Sequence, residues 1–115
     1  MNKEILLPDV DLRESILKGA LLSRNKKMEI FIFTKDLKKI TVMFLNLLKI
    51  KFKPGGNVSG LFEKHESSSY FQEAIKYTFV NNPILHGYKH YQLKDMDDKP
   101  IIDLVSDSIL VFMDN

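Results

Sequence analysis

The sequence predicts an α+β fold: a mostly antiparallel β-sheet, one main helix at about 70–80 packed on a face, and a C-terminal β-hairpin. Three observations carry this. Two aromatic and β-branched runs, MEIFIFT and ITVMFL, lie a hairpin's connection apart. Phe71, Ala74, Ile75, Thr78 and Phe79 recur at three- and four-residue spacing, which makes one apolar helical stripe. Two apolar-alternating runs flank the acidic turn Asp95-Met96-Asp97-Asp98-Lys99-Pro100.

In chain order, Asp11 to Leu22 fits two patterns. Asp11 and Glu14 suit a capping box, and Leu12, Ile16 and Ala20 with Leu17 and Leu21 suit a helical stripe. Gly19 would cost an interior helix roughly 1 kcal/mol against Ala, and a strand here would pair directly with MEIFIF across a turn near Asn25-Lys26. The strand is preferred. Met28 to Thr34 and Ile40 to Leu45 are strands joined through Lys35 to Lys39. Lys49 to Lys53 alternates, setting Ile50 and Phe52 on one face and three lysines on the other, and those lysines discourage edge-to-edge pairing. Pro54-Gly55-Gly56-Asn57 breaks the sheet, and Gly55 to Gly60 reads as a loop leading to the helix. Ser67, Ser68 and Ser69 supply N-caps for that helix, and Asn81-Asn82-Pro83 stops it. The hairpin arms run from Tyr88 to Met96 and from Ile101 to about Met113, with Ser106-Asp107-Ser108 marking a bulge or break in the second. Phe31, Phe33, Phe44, Phe52, Phe71 and Phe79 sit on periodic faces and are assigned mostly to the core.

At 115 residues the chain fits a single domain, 1–115, with one core. The absence of cysteine removes disulfides, thiolate zinc sites and cysteine nucleophiles together. Glu4, Pro8, Asp9 and Asp11 interrupt the region where a signal peptide needs an apolar run. Ile40 to Leu48 is about half the ~20 residues of a membrane helix. A cytoplasmic chain with no membrane partner is expected. The net charge of +2 divides unevenly: residues 1–56 carry 12 basic and 6 acidic residues, and residues 57–115 carry 5 and 9. Of the 17 basic residues only Arg13 and Arg24 are arginine, which weighs against specific nucleic-acid readout, because bidentate recognition favours arginine.

No motif of established chemistry is complete. His86 and His90 are four apart, but a metal needs a third ligand, such as His65, and Gly87 argues against the helix that gives the spacing meaning. Read as a calcium loop from Asp95, the turn has Pro100 where glycine is required and Ser106 where the bidentate glutamate is required. Glu63, His65 and Glu66 are adjacent polar loop residues, and the glycine-rich loop matches neither GxGxxG nor a lysine-containing phosphate loop. No metal, no cofactor and no catalytic residue are expected.

The run LRESILKGALLSRNKKMEIFIFTKDLKKITVMFLNLLKIKF, the loop with Asn57, the helix and then HYQLKDMDDKPIIDLVSDSI resemble, in general plan, small β-rich bacterial immunity proteins. Those proteins neutralise toxins of contact-dependent inhibition and related polymorphic systems. The resemblance implies a non-enzymatic cytoplasmic protein that binds a cognate toxin, such as a nuclease, and covers its active site. The residues expected to carry binding are Tyr88, His90, Tyr91, Asp95, Asp97 and Asp98, since tyrosines anchor interfaces and carboxylates would face a basic active site. Two other readings stand beside it. A nucleic-acid accessory protein would use Lys38, Lys39, Lys49, Lys51 and Lys53, and a small enzyme would centre on His65, His86 and His90.

Overall fold

The computed structural model describes residues 3–5, 10–53, 56–64, 70 and 87–114. Nine strands account for most of them: β1 (Lys3–Glu4), β2 (Ile16–Ser23), β3 (Lys27–Phe33), β4 (Lys39–Leu45), β5 (Lys49–Phe52), β6 (Val58–Glu63), β7 (Lys89–Asp95), β8 (Pro100–Ser106) and β9 (Ser108–Asp114). They form two sheets in which every pairing is antiparallel. Sheet I has the order β1-β6-β7-β8-β5, and sheet II the order β2-β3-β4-β9.

The expected α+β class is therefore corrected. The described residues are all-β, with two sheets and no helical element. The helix expected over 70–80 lies outside the described residues, Tyr70 excepted. The physical reason is that each sheet covers the other's inner face. Met28, Ile30, Ile32, Ile40, Val42 and Phe44 of sheet II share one core with Leu61, Tyr91, Leu93, Ile102 and Leu104 of sheet I. The rings of Phe44 and Tyr91 meet across the two layers, 5.6 Å apart. The two-residue alternation of a half-covered sheet is clean in β3 and β4, whereas β7 and β8 are buried on both faces.

Further along the chain, one expectation is corrected and another is met in sharper form. Val58 to Glu63, expected to be loop because of its glycines, is β6, which pairs with β1 and β7. Its Gly60 lies where an added Cβ would come within 3.2 Å of the Phe62 ring and 3.1 Å of Glu4, a close approach that the missing side chain permits. The break expected at Ser106-Asp107-Ser108 is present, and it makes the long second arm of the hairpin two strands. The arm breaks at Asp107, where the chain leaves sheet I as β8 and enters sheet II as β9. Of Asp11 to Leu22, read by preference as strand, Ile16 onward is β2, paired with β3 through the turn Arg24–Lys26, and Arg13-Glu14 is a turn.

The break at Asp107 has a counterpart. Between Leu45 and Lys49 the chain also changes sheet, from β4 to β5, and β4 and β5 pair with β9 and β8 respectively. Two neighbouring strands thus turn one corner together. Asn46 takes a φ of 52° there, and its side-chain amide donates to both Asp107 carboxylate oxygens at 3.0 Å. Ser106, fully buried, donates its hydroxyl to the carbonyls of Leu45 and Ser108, and the Leu48 amide donates to Val105 at 2.9 Å. The corner is cross-linked on both strands.

Candidate functional site

The outer face of sheet I follows from the alternation of β7. Tyr91 and Leu93 enter the core, so His90, Gln92 and Lys94 take the other face, with Asp103 of β8 opposite Gln92. Asp103 Oδ1 accepts hydrogen bonds from His90 Nε2 and Gln92 Nε2, each at 2.7 Å. The Tyr70 ring stacks on His90 at 4.9 Å and an interplanar angle of 26°, and its hydroxyl donates to the Asp103 carbonyl at 3.1 Å. Lys49 Nζ lies 4.3 Å from the centre of the Tyr70 ring. Burial pushes the Asp103 carboxyl upward, but the His90 and Gln92 hydrogen bonds and the charge of Lys51 outweigh it and hold the group below its ordinary value.

This cluster contains the ingredients of acid–base chemistry in a closed arrangement. The His90 side chain is 2% exposed and that of Asp103 14%. An imidazole 2% exposed, hydrogen-bonded to a carboxylate and stacked on a tyrosine ring, is a packed group of the sheet face. Of the three histidines in the small-enzyme reading, His90 alone is described. His65 and His86 lie outside the described residues, among which no group of three metal-binding side chains occurs.

The remaining expected binding residues are dispersed. Tyr88 is half-buried beside Val105, Leu48 and Tyr70. Tyr91 is a core residue, and burial raises its phenol above the ordinary value. Asp95 is buried and structural: its Oδ1 accepts the Asp97 and Lys99 amides, both at 2.9 Å. The Lys99, Asp97 and Gly56 amides together hold its carboxyl below the ordinary range. Asp97 and Asp98 are exposed, and Asp98 takes a φ of 64° and pairs with Lys94 at 3.1 Å. The acidic turn therefore presents two carboxylates to solvent, not three.

The lysines of the nucleic-acid reading are also divided. Lys49, Lys51 and Lys53 follow β5 at the edge of sheet I, whereas Lys38 and Lys39 lie at the β3–β4 connection of sheet II. Lys51, Lys53 and Lys99 flank a cleft of ≈200 Å³ that also holds Asp95 and Asp103. The two carboxylates interrupt the positive lining.

The outer face of sheet II is the surface that the sequence assignment misplaced. Phe31 and Phe33, assigned to the core, alternate with the buried Ile30 and Ile32 and so occupy the opposite, outer side. The register sets Phe112, Thr41, Phe31 and Gly19 in one row across the sheet, and Leu110, Met43, Glu29 and Leu21 in the next. Ile16, Leu21, Leu110 and Phe112 are exposed. Phe31 and Phe33 line a depression of ≈320 Å³ flanked by Lys18 and Lys39. The signal for this face was present: in MEIFIFT the parity of Glu29, Phe31 and Phe33 is mixed, charged at one end and aromatic at the other, beside the wholly apolar Met28, Ile30 and Ile32.

The four sheet edges are treated differently. β1 has two residues; β5 has four, with Lys49 and Lys51 among them; β2 carries Lys18 and a register irregularity between Leu17 and Gly19. Short length, lysines and bulges each discourage edge pairing. β9 has none of these: its seven residues, SILVFMD, pair with β4 in unbroken register, without lysine or proline. No family model, no curated protein and no solved structure matches the chain.

Proposed function

We propose that this is a non-enzymatic, cytoplasmic protein-binding protein, an immunity-type inhibitor that docks on a cognate toxin and occludes its active site. The observation that carries the binding role is the outer face of sheet II, where Ile16, Leu21, Leu110 and Phe112 stand exposed beside the half-buried Phe31, Phe33 and Met43. A largely apolar surface of this kind, interrupted by Thr41 and Glu29, favours a protein partner. Its aromatic residues are the type that dominates binding energy, because they remove much area from water with few rotors to freeze. Lys18 and Lys39, at the rim of the Phe31–Phe33 depression, suit a partner whose apolar side chain is flanked by carboxylates. The resemblance in general plan supplies the toxin as the class of partner.

The test begins with recovery of the cognate protein from the source cell, followed by calorimetric titration. The Phe31→Ala/Phe33→Ala pair is expected to weaken binding by about tenfold or more. The Asp97→Lys/Asp98→Lys pair should leave it within about twofold, as for rim charges that mainly affect association rate. The converse result moves the docking site to the acidic turn. A chain that captures no stoichiometric protein, or that turns over a substrate by itself, ends the reading.

A further inference from the structure

We infer that β9 pairs with β9 of a second copy of the chain, antiparallel and about a two-fold axis through Val111. Such a pairing would join two four-stranded sheets into one continuous sheet. The first ground is the contrast among edges. Three of the four carry a device against pairing, and β9, among the described residues, presents a seven-residue edge with no strand beyond it and no such device.

The second ground is the strand's own order of residues. With the axis at Val111, Leu110 falls opposite Phe112 of the second copy, Ile109 opposite Met113, and Val111 opposite itself. Every apolar residue of the strand acquires an apolar cross-strand partner, the unit from which sheets draw their side-chain stabilisation. The pairing also preserves the faces. Ile109 and Val111 pack against the core, while Leu110 and Phe112 are on the outer side, 44% and 52% exposed. Moving the axis to Leu110 sets Phe112 opposite Ser108 and Met113 opposite Asp107. Moving it to Phe112 sets Leu110 opposite Asp114. Only the Val111 register leaves no apolar residue facing a polar one.

Charge is consistent with a second copy as the occupant. Asp114 is the strand's single charged residue and falls opposite Ser108, so no like charges meet along the seam. The same pairing makes the apolar outer faces of the two copies contiguous through Leu110 and Phe112. One strand edge is a small interface, so the association is reversible and depends on concentration.

Sedimentation velocity on the purified chain, from low micromolar to near-millimolar concentration, tests this without any partner protein. The expected result is a shift from one chain to two. Leu110→Lys/Phe112→Lys, both at exposed positions, sets like charges opposite one another in the seam and should weaken the dimer at least tenfold. Leu21→Lys, on the same outer face but at the far edge of the sheet, should leave it unchanged. Hydrogen exchange gives a second readout: amides of β9 should gain protection as concentration rises, and amides of β2 should not. A chain that stays monomeric throughout overturns the inference. So does a dimer that Leu21→Lys abolishes, since that would be face-to-face stacking, or one that leaves β9 exchange unchanged.

Discussion

Leu37 and Asp103 illustrate two opposite uses of a single residue. Leu37 is 76% exposed and has a φ of 66° in the β3–β4 turn, a left-handed conformation that a bulky side chain resists. Asparagine tolerates that region without the extra chain freedom of glycine. Leu37→Asn is expected to raise stability by about 0.5–1 kcal/mol, measured by urea unfolding. Asp103 instead satisfies two buried donors, on His90 and Gln92. Asp103→Ala strands both and should cost about 2–3 kcal/mol. The pH behaviour has a definite sign. The folded-state pKa of Asp103 lies below its ordinary 3.8, so its contribution is complete above that value and is lost as pH falls through the folded-state value. In the Ala variant the acid limb of the stability curve should be correspondingly shallower; an unchanged limb would mean the carboxylate's pairing adds nothing. Asp95 also redirects the expectation for the acidic turn. Its carboxylate is bound to the turn's own amides, so reversing its charge disturbs the fold, and surface tests belong to Asp97 and Asp98.

At the level of elements, most strands were legible because alternation and turn chemistry agreed. MEIFIFT, ITVMFL and KIKFK became β3, β4 and β5, and the acidic turn joins β7 to β8. Three things were hidden. β6 was obscured by Gly60, which serves close packing against Phe62 rather than a loop. The split of the last arm into β8 and β9 was visible as Ser106-Asp107-Ser108 but not interpretable, because a bend within a sheet and a move between sheets leave the same local trace. The side of β3 that faces the core was masked by Phe31 and Phe33, although Lys27 and Glu29 on the same parity mark that side as the outer one. The corner itself is open to test. Asn46→Ala puts a Cβ-bearing residue without its amide at a φ of 52° and removes both bonds to Asp107. A loss of about 1–3 kcal/mol is expected in thermal or urea unfolding; stability within 0.5 kcal/mol (about the scatter of ordinary surface substitutions) would show that the corner is held by its backbone alone.

On the scale of the whole molecule, the fold class depended on what covers the sheet, and that is not a local property. A helix and a second sheet satisfy the same apolar face, so the strand pattern was readable while the layer arrangement was not. The candidate site suffered in the same way. Residues chosen for their chemistry, His90, Tyr91 and Asp95, lie in strand positions that burial claims first, and the surface left apolar is the one whose residues looked most like core. The charge division between the halves of the chain also dissolves in three dimensions: Lys51 of the basic half lies opposite Asp103 of the acidic half.

The cross-linked corner constrains how this chain reaches its structure. Asn46 and Asp107 are 61 residues apart, and the strands on both sides of them pair only once that stretch of chain has closed. Closure entropy is spent before the ladder returns any of it, so the search for this contact dominates the time to fold. The same closure completes both sheets: β9 joins β4 in sheet II as β5 joins β8 in sheet I. The last ladder of each layer is therefore the product of one encounter between distant parts of the chain.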